Sequence, residues 1–97
     1  MNRAERELAD LEAVFTALAH ASRRHILIVL NARGGSMTAG EIAERFACSW
    51  PTTTRHLRQL EDAGLVTVHA DGRQRRYELN RERLQSVAGS WLDHFAA

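Results

Sequence analysis

The sequence predicts a mainly α fold with one small β-hairpin, in the order α-α-α-α-β-β-α. Three observations lead there. Apolar residues recur at helical spacing through the first two-thirds of the chain, and the period changes to β-branched and aromatic residues only after Gly64. A last apolar helical stripe then closes the C-terminus. With 97 residues and no repeat or Pro/Gly-rich linker, the chain is read as one domain over 1–97.

Each element has its own signal. Leu8, Leu11, Phe15 and Leu18 stand at i, i+3, i+7 and i+10, an amphipathic first helix. Ser22 reads as the N-cap of a second helix, SRRHILIVLNAR, which stops at Gly34-Gly35. Thr38 and Glu41 have capping-box spacing, so a short third helix should run from Glu41 to Phe46. A tight turn at Ala47-Cys48 leads to a fourth helix with Ser49 as N-cap, Pro51 in its first turn and Gly64 as its left-handed stop. Strands over about 65–70 and 75–80 should pair across Asp71-Gly72, a strong hairpin signal. Leu84, Val87, Trp91 and Phe95, with Ala88 and Leu92 alongside, form the apolar face of the last helix. Two short helices joined by a tight turn and followed directly by a hairpin make a winged helix-turn-helix.

Composition narrows the function. The chain is 44% hydrophobic and 26% charged, as an ordinary globular protein is. Its longest aliphatic run, Ile26 to Leu30, is far shorter than the roughly 20 residues of a membrane span. The charged N-terminus lacks the apolar core of an export signal, so a cytoplasmic location is expected. A single cysteine allows neither an intrachain disulfide nor a multi-cysteine zinc site. Net charge is only +1, but its distribution is uneven. All basic residues are arginine; Arg55 and Arg58 share the fourth helix, Arg73, Arg75 and Arg76 cluster near the hairpin turn, and Glu5, Glu7, Asp10 and Glu12 lie at the start. A nearly neutral protein with segregated charge can bind DNA through one face.

At about 100° per residue, Thr53, Leu57, Leu60 and Gly64 form the inner stripe of the fourth helix. Pro51, Arg55, Arg58 and Asp62 point the other way, flanked by Thr52, Thr54 and Gln59, with Trp50 and His56 on the borders. Hydroxyl, guanidinium and amide groups in the first turns suit insertion of a helix N-terminus into a DNA major groove. An ordinary solvated helix face would also be polar.

The stretches FTALAHASRRHIL, TTTRHLRQLEDAGLV and HADGRQRRYEL, in that order, resemble the winged-helix repressors of the ArsR/SmtB family over about residues 12–80. The resemblance implies a homodimer joined by the first and last helices, in keeping with their apolar stripes, and binding to imperfect inverted repeats. Its implied interface residues are Leu8, Leu11, Phe15, Leu84, Val87, Trp91, Leu92 and Phe95. DNA contact is implied for Trp50, Pro51, Thr54 and Arg55, with Ser49, Thr52 and Arg58 nearby, and for Arg73, Gln74 and Arg75 in the wing. His56 matches a family histidine that supports the helix or touches phosphate. Trp50 departs from a usually polar position, and either packs on the helix-turn-helix border or makes an apolar contact with DNA.

No cofactor and no metal are expected. The third helix, MTAGEIAERF, lacks the paired cysteines of metal-sensing members, and the last helix offers only the adjacent Asp93-His94. His20, His25, His56 and His69 are scattered over different elements. Cys48 reads as a packed residue, with a redox-responsive thiol as the alternative. No nucleophile–base grouping, phosphate loop or carboxylate pair points to an enzyme. The competing function is a winged helix that docks another protein; an inducer, if there is one, is unidentified.

Overall fold

The structure, a computed structural model, describes residues 1–46 and 49–96. Ala47 and Cys48 lie outside the described residues, and with them the expected tight turn and both readings of the thiol. The helices α1 (Arg3–Leu18), α2 (Ala21–Ala32), α3 (Ala39–Arg45) and α4 (Trp50–Asp62) come first. After α4 come β2 (Val66–Asp71) and β3 (Gln74–Leu79), and a short β1 (Ser36–Thr38) precedes α3. The chain closes with α5 (Arg81–Leu84), a π-helical turn (Gln85–Gly89) and α6 (Ser90–Asp93).

The helix ends follow from local chemistry. Asn2 opens α1 by accepting the Glu5 N–H at 2.8 Å. The N-cap expected at Ser22 is instead His20: its Nδ1 accepts the Ser22 N–H at 3.3 Å, and Ser22 falls inside the first turn. A ring nitrogen placed before the helix can serve as the acceptor that a hydroxyl usually supplies. Helices α1 and α2 meet at 92°. The carbonyls left open at the end of α1 are taken by the two arginines of α2. Arg23 donates from Nε to the Ala17 carbonyl at 2.7 Å and from Nη2 to that of Thr16 at 3.1 Å, and Arg24 reaches the Leu18 carbonyl at 2.6 Å. The Thr38–Glu41 capping box forms as expected, with reciprocal bonds of 2.9 and 3.2 Å. It holds the Glu41 carboxyl below its ordinary pKa, mainly through the Thr38 backbone N–H and then its hydroxyl.

The wing has a third strand that was not expected. β1 pairs antiparallel with β3, giving the order β1-β3-β2, with Met37 opposite Tyr77 and Val68 on Tyr77's other side. Three residues are too few to display an alternation, and Thr38 serves as both strand end and helix cap. The hairpin lies within a residue of its expected bounds, with Gly72 in the turn at φ +61°. The last helix also differs from the continuous one expected. Its central π turn carries the Ser90 hydroxyl onto the Ser86 carbonyl.

The core joins these layers: Val14 of α1, Ile26, Leu27 and Leu30 of α2, Ile42 of α3, Leu57 and Leu60 of α4, and Tyr77 of the sheet. Gly64, at φ +77°, closes α4. The Leu65 and Gly64 N–H groups return to the carbonyls of Leu60 and Glu61, both at 2.9 Å. Leu60 and Leu65, fully buried, face each other across this stop. It turns the chain from the helix straight into β2.

Thr53 occupies the inner stripe as expected, but its buried Oγ1 has no hydrogen-bond partner among the described residues. An unmet hydroxyl in the core costs about 1–3 kcal/mol. Thr53→Val keeps the shape and removes that cost. The expected result is a higher denaturant midpoint with an unchanged m-value, by about 1 kcal/mol in urea unfolding.

Candidate nucleic-acid interface

Helix α4 has one side packed and one side open. Thr53, His56, Leu57 and Leu60 are buried, whereas Trp50, Pro51, Thr54, Arg55 and Arg58 are exposed. Ser49 caps the helix: its Oγ accepts the Thr52 N–H at 3.3 Å and donates to the Thr52 hydroxyl at 3.0 Å. Thr52 is therefore partly engaged and half-buried, and Thr54 carries the open hydroxyl.

Nine of the arginines form two contrasting sets; of the other four, Arg3 pairs with Glu7 at the surface and Arg6, Arg33 and Arg45 are exposed elsewhere. Arg23, Arg24, Arg76, Arg81 and Arg83 are each tied to a carbonyl or side chain of the protein. Arg55 and Arg58 on α4, and Arg73 and Arg75 at the wing, are exposed. Among the described residues, none of these four makes a side-chain hydrogen bond or ion pair with the protein. Within the wing itself, Arg76 separates from its neighbours by bonding Asp71 at 2.9 Å and Ser36 at 3.0 Å. It is a brace across the three strands.

One cleft gathers much of the expected site. Trp50 and Thr54 of α4 and Arg73, Gln74 and Arg75 of the wing line it together. Its remaining wall comes from Tyr77 of β3, from Thr38 and from α3, including Gly40 and Glu44, which sequence reasoning did not assign to the site. The β1–β3 pairing brings that wall beside the wing, with the Gln74 Oε1 lying 3.8 Å from a Cβ built on Gly40. Arg55 and Arg58 lie outside the cleft, farther along the same exposed helix side.

Two border residues are resolved differently. Trp50 is 56% exposed, with its ring beside α3 at the mouth of the cleft. His56 is only 8% exposed and lies behind the face, not on it. Its ring sits 4.5 Å from that of His20, and its Nδ1 lies 3.4 Å from Nη1 of Arg23. Its pKa is lowered, first by burial and then by His20, Arg23 and Arg55. His25 packs edge-on against Phe46, His69 is exposed on β2, and no group of three or more potential metal ligands occurs among the described residues.

A second surface forms where α1 packs along the terminal helix. Phe15 and Trp91 meet edge-to-face at 5.2 Å, Trp91 and Phe95 lie 4.9 Å apart, and Arg83 bonds Asp10 at 3.2 Å. Leu11, Leu84 and Val87 are half-buried in this pairing. Leu8, Leu92 and Phe95 remain 60–70% exposed, and Trp91 is 39% exposed.

The family model described as a helix-turn-helix domain matches residues 18–69, more than half of the chain. The transcriptional repressor SdpR of Bacillus subtilis is 40% identical over 82 residues, covering 84% of this chain and 88% of that protein. A crystal structure of an ArsR family transcriptional regulator is 32% identical, with a TM-score of 0.79 over 88% of this chain and 90% of its own. A homodimeric winged helix-turn-helix DNA-binding domain from Mycobacterium bovis shares the fold, with a TM-score of 0.76 at 23% identity over 97% and 86% of the two chains.

The Ser49 cap sets the geometry of the open N-terminus of α4. Ser49→Ala removes the acceptor for Thr52 and is expected to lower stability by about 0.5–2 kcal/mol, measured by chemical denaturation.

Proposed function

We propose that this chain, which belongs to the ArsR family of winged helix-turn-helix transcriptional regulators, is a homodimeric repressor that reads an inverted-repeat operator. The observation that carries this reading is the segregation of the arginines. Among the described residues Arg55, Arg58, Arg73 and Arg75 make no side-chain hydrogen bond or ion pair and stand together around the exposed side of α4 and the wing, while Arg23, Arg76 and Arg83 are bonded within the fold. Free guanidinium groups beside a helix N-terminus are matched to phosphate and to the guanine O6/N7 edge.

In this reading α4 enters the major groove. Arg55 takes a base edge, Thr54 and the Ser49–Thr52 pair contact backbone or base, and Pro51 and Arg58 lie alongside. Arg73, Gln74 and Arg75 follow the flanking minor groove or its phosphates. Trp50 supplies an apolar surface to a thymine methyl or a sugar. A second copy covers the Leu8, Trp91, Leu92 and Phe95 surface, which would otherwise leave large apolar side chains in water. The Mycobacterium bovis relative is a homodimer, and SdpR is a repressor; both support the reading.

Selection of bound duplexes from a random DNA pool tests it. The expected outcome is an enriched palindrome whose half-sites are about one helical turn apart, bound with an affinity that falls steeply as salt is raised. No enrichment, or binding of a protein partner with little salt response, would reject it. Arg55→Ala is expected to weaken the selected site by about 1–3 kcal/mol and to relax one base position, read by competition with single-substituted duplexes. Trp91→Glu places a charge in the apolar surface. By sedimentation it should shift the protein from dimer to monomer, and operator binding should weaken with it.

A further inference from the structure

We infer that Arg23 is a positioning residue, bracing the DNA-reading helix against the end of α1 through the neutral form of His56, so that acid loosens operator binding. The inference rests on the reading that α4 enters DNA. Arg23 spans three elements. From α2 it holds the Ala17 and Thr16 carbonyls at the end of α1, and its remaining nitrogen lies 3.4 Å from Nδ1 of His56 on α4. Only a His56 whose Nδ1 carries no proton can accept there, which places the ring proton on Nε2.

The surroundings make this an all-or-none contact. His56 is buried, and the ring of His20, the N-cap of α2, lies tilted beside it with centroids 4.5 Å apart. The charged or titratable groups acting on it are His20 and Arg23 from the α2 corner and Arg55 of its own helix. Helix α1 contributes only the Thr16 and Ala17 carbonyls, already taken by Arg23, and no group of α3 or β2 acts on the ring among the described residues. Among the described residues no carboxylate lies within ion-pair distance of the His56 ring. Protonation would turn the acceptor into a donor facing a guanidinium, in a site of low polarity with cations around it.

The sign follows. His56 titrates below its ordinary 6.5, mainly because of burial and then because of His20, Arg23 and Arg55. A group that holds its proton less readily in the folded state adds stability that is complete above the ordinary value. That stability is lost as pH falls through the lowered one. Binding that requires the braced helix inherits the same direction. General attraction of protonated histidines to phosphate has the opposite sign, so the two effects are separable.

The test measures the affinity of the full chain for a fluorescein-labelled duplex from the selection, by anisotropy, with circular dichroism confirming folding at each pH. Between about pH 8 and about pH 5.5 the wild type is expected to lose about three- to tenfold in affinity as His56 takes up its proton. In His56→Gln the ratio of the two affinities should fall to near one, because the amide cannot take up the proton. In His20→Asn, which keeps an N-cap acceptor, the loss should move to higher pH, because one of the opposing charges is gone. A wild-type affinity that is constant or rises in acid overturns the inference, as does a His56→Gln protein that keeps the loss. Should that variant fail to fold, a His20→Asn midpoint that does not rise overturns it equally. Absence of any binding at the alkaline end would instead reject the DNA-binding reading itself.

Discussion

The burial of one side of α4 is the constraint on which the proposed DNA-facing surface depends. Leu57 and Leu60 are sealed against α2, α3 and the sheet, and Leu65 locks the helix end through the Gly64 stop. With those contacts fixed, the helix cannot rotate, and a rotation of one residue would carry Arg55 or Arg58 about 100° from its present direction. The exposed side chains can then be chosen for an outside partner alone. Three consecutive threonines show the separation: Thr53 fills core volume, Thr52 bonds the cap, and Thr54 stands open. Low helical propensity in this first turn is tolerated because packing, more than propensity, holds the helix.

Most of this was legible in the sequence because it rests on short-range rules. The inner stripe, the Ser49 cap, the Thr38–Glu41 box and the Gly64 stop are each built from steps of five positions or fewer, where spacing translates directly into geometry. The hairpin was legible for the same reason, as Asp71-Gly72 demands a turn that few other pairs make cheaply. The chemical identity of the exposed face followed from that stripe by subtraction.

What sequence reasoning missed depends on partners distant in the chain. β1 exists only because β3 offers Glu78, Tyr77 and Arg76 an edge to fill, some 40 residues away, and its own three residues carry no pattern. The α3 wall of the cleft was missed with it. His56 was placed on a border by angle alone. His20, Arg23 and Leu57 draw it inside, and a wheel drawn for one helix does not contain the first two. The π turn in the last helix likewise leaves no mark in apolar spacing, since it widens one turn without disturbing which side chains are greasy.

The Arg23-Arg24 pair shows why residue type alone could not assign the arginines. Both lie in the stretch FTALAHASRRHIL, yet both guanidinium groups are bonded to carbonyls of the protein itself. They close the C-terminus of α1, where open carbonyls and the negative end of the helix dipole face a sharp bend. A helix ending at a corner of 92° has no following turn to satisfy it, and a hydroxyl or lysine could not bridge two carbonyls and a ring at once. The planar, many-handed guanidinium can. In this chain the same side chain therefore serves two opposite purposes. It is an internal clamp at the last carbonyls of α1, and an unspent donor array on α4 and the wing, where it meets no acceptor among the described residues.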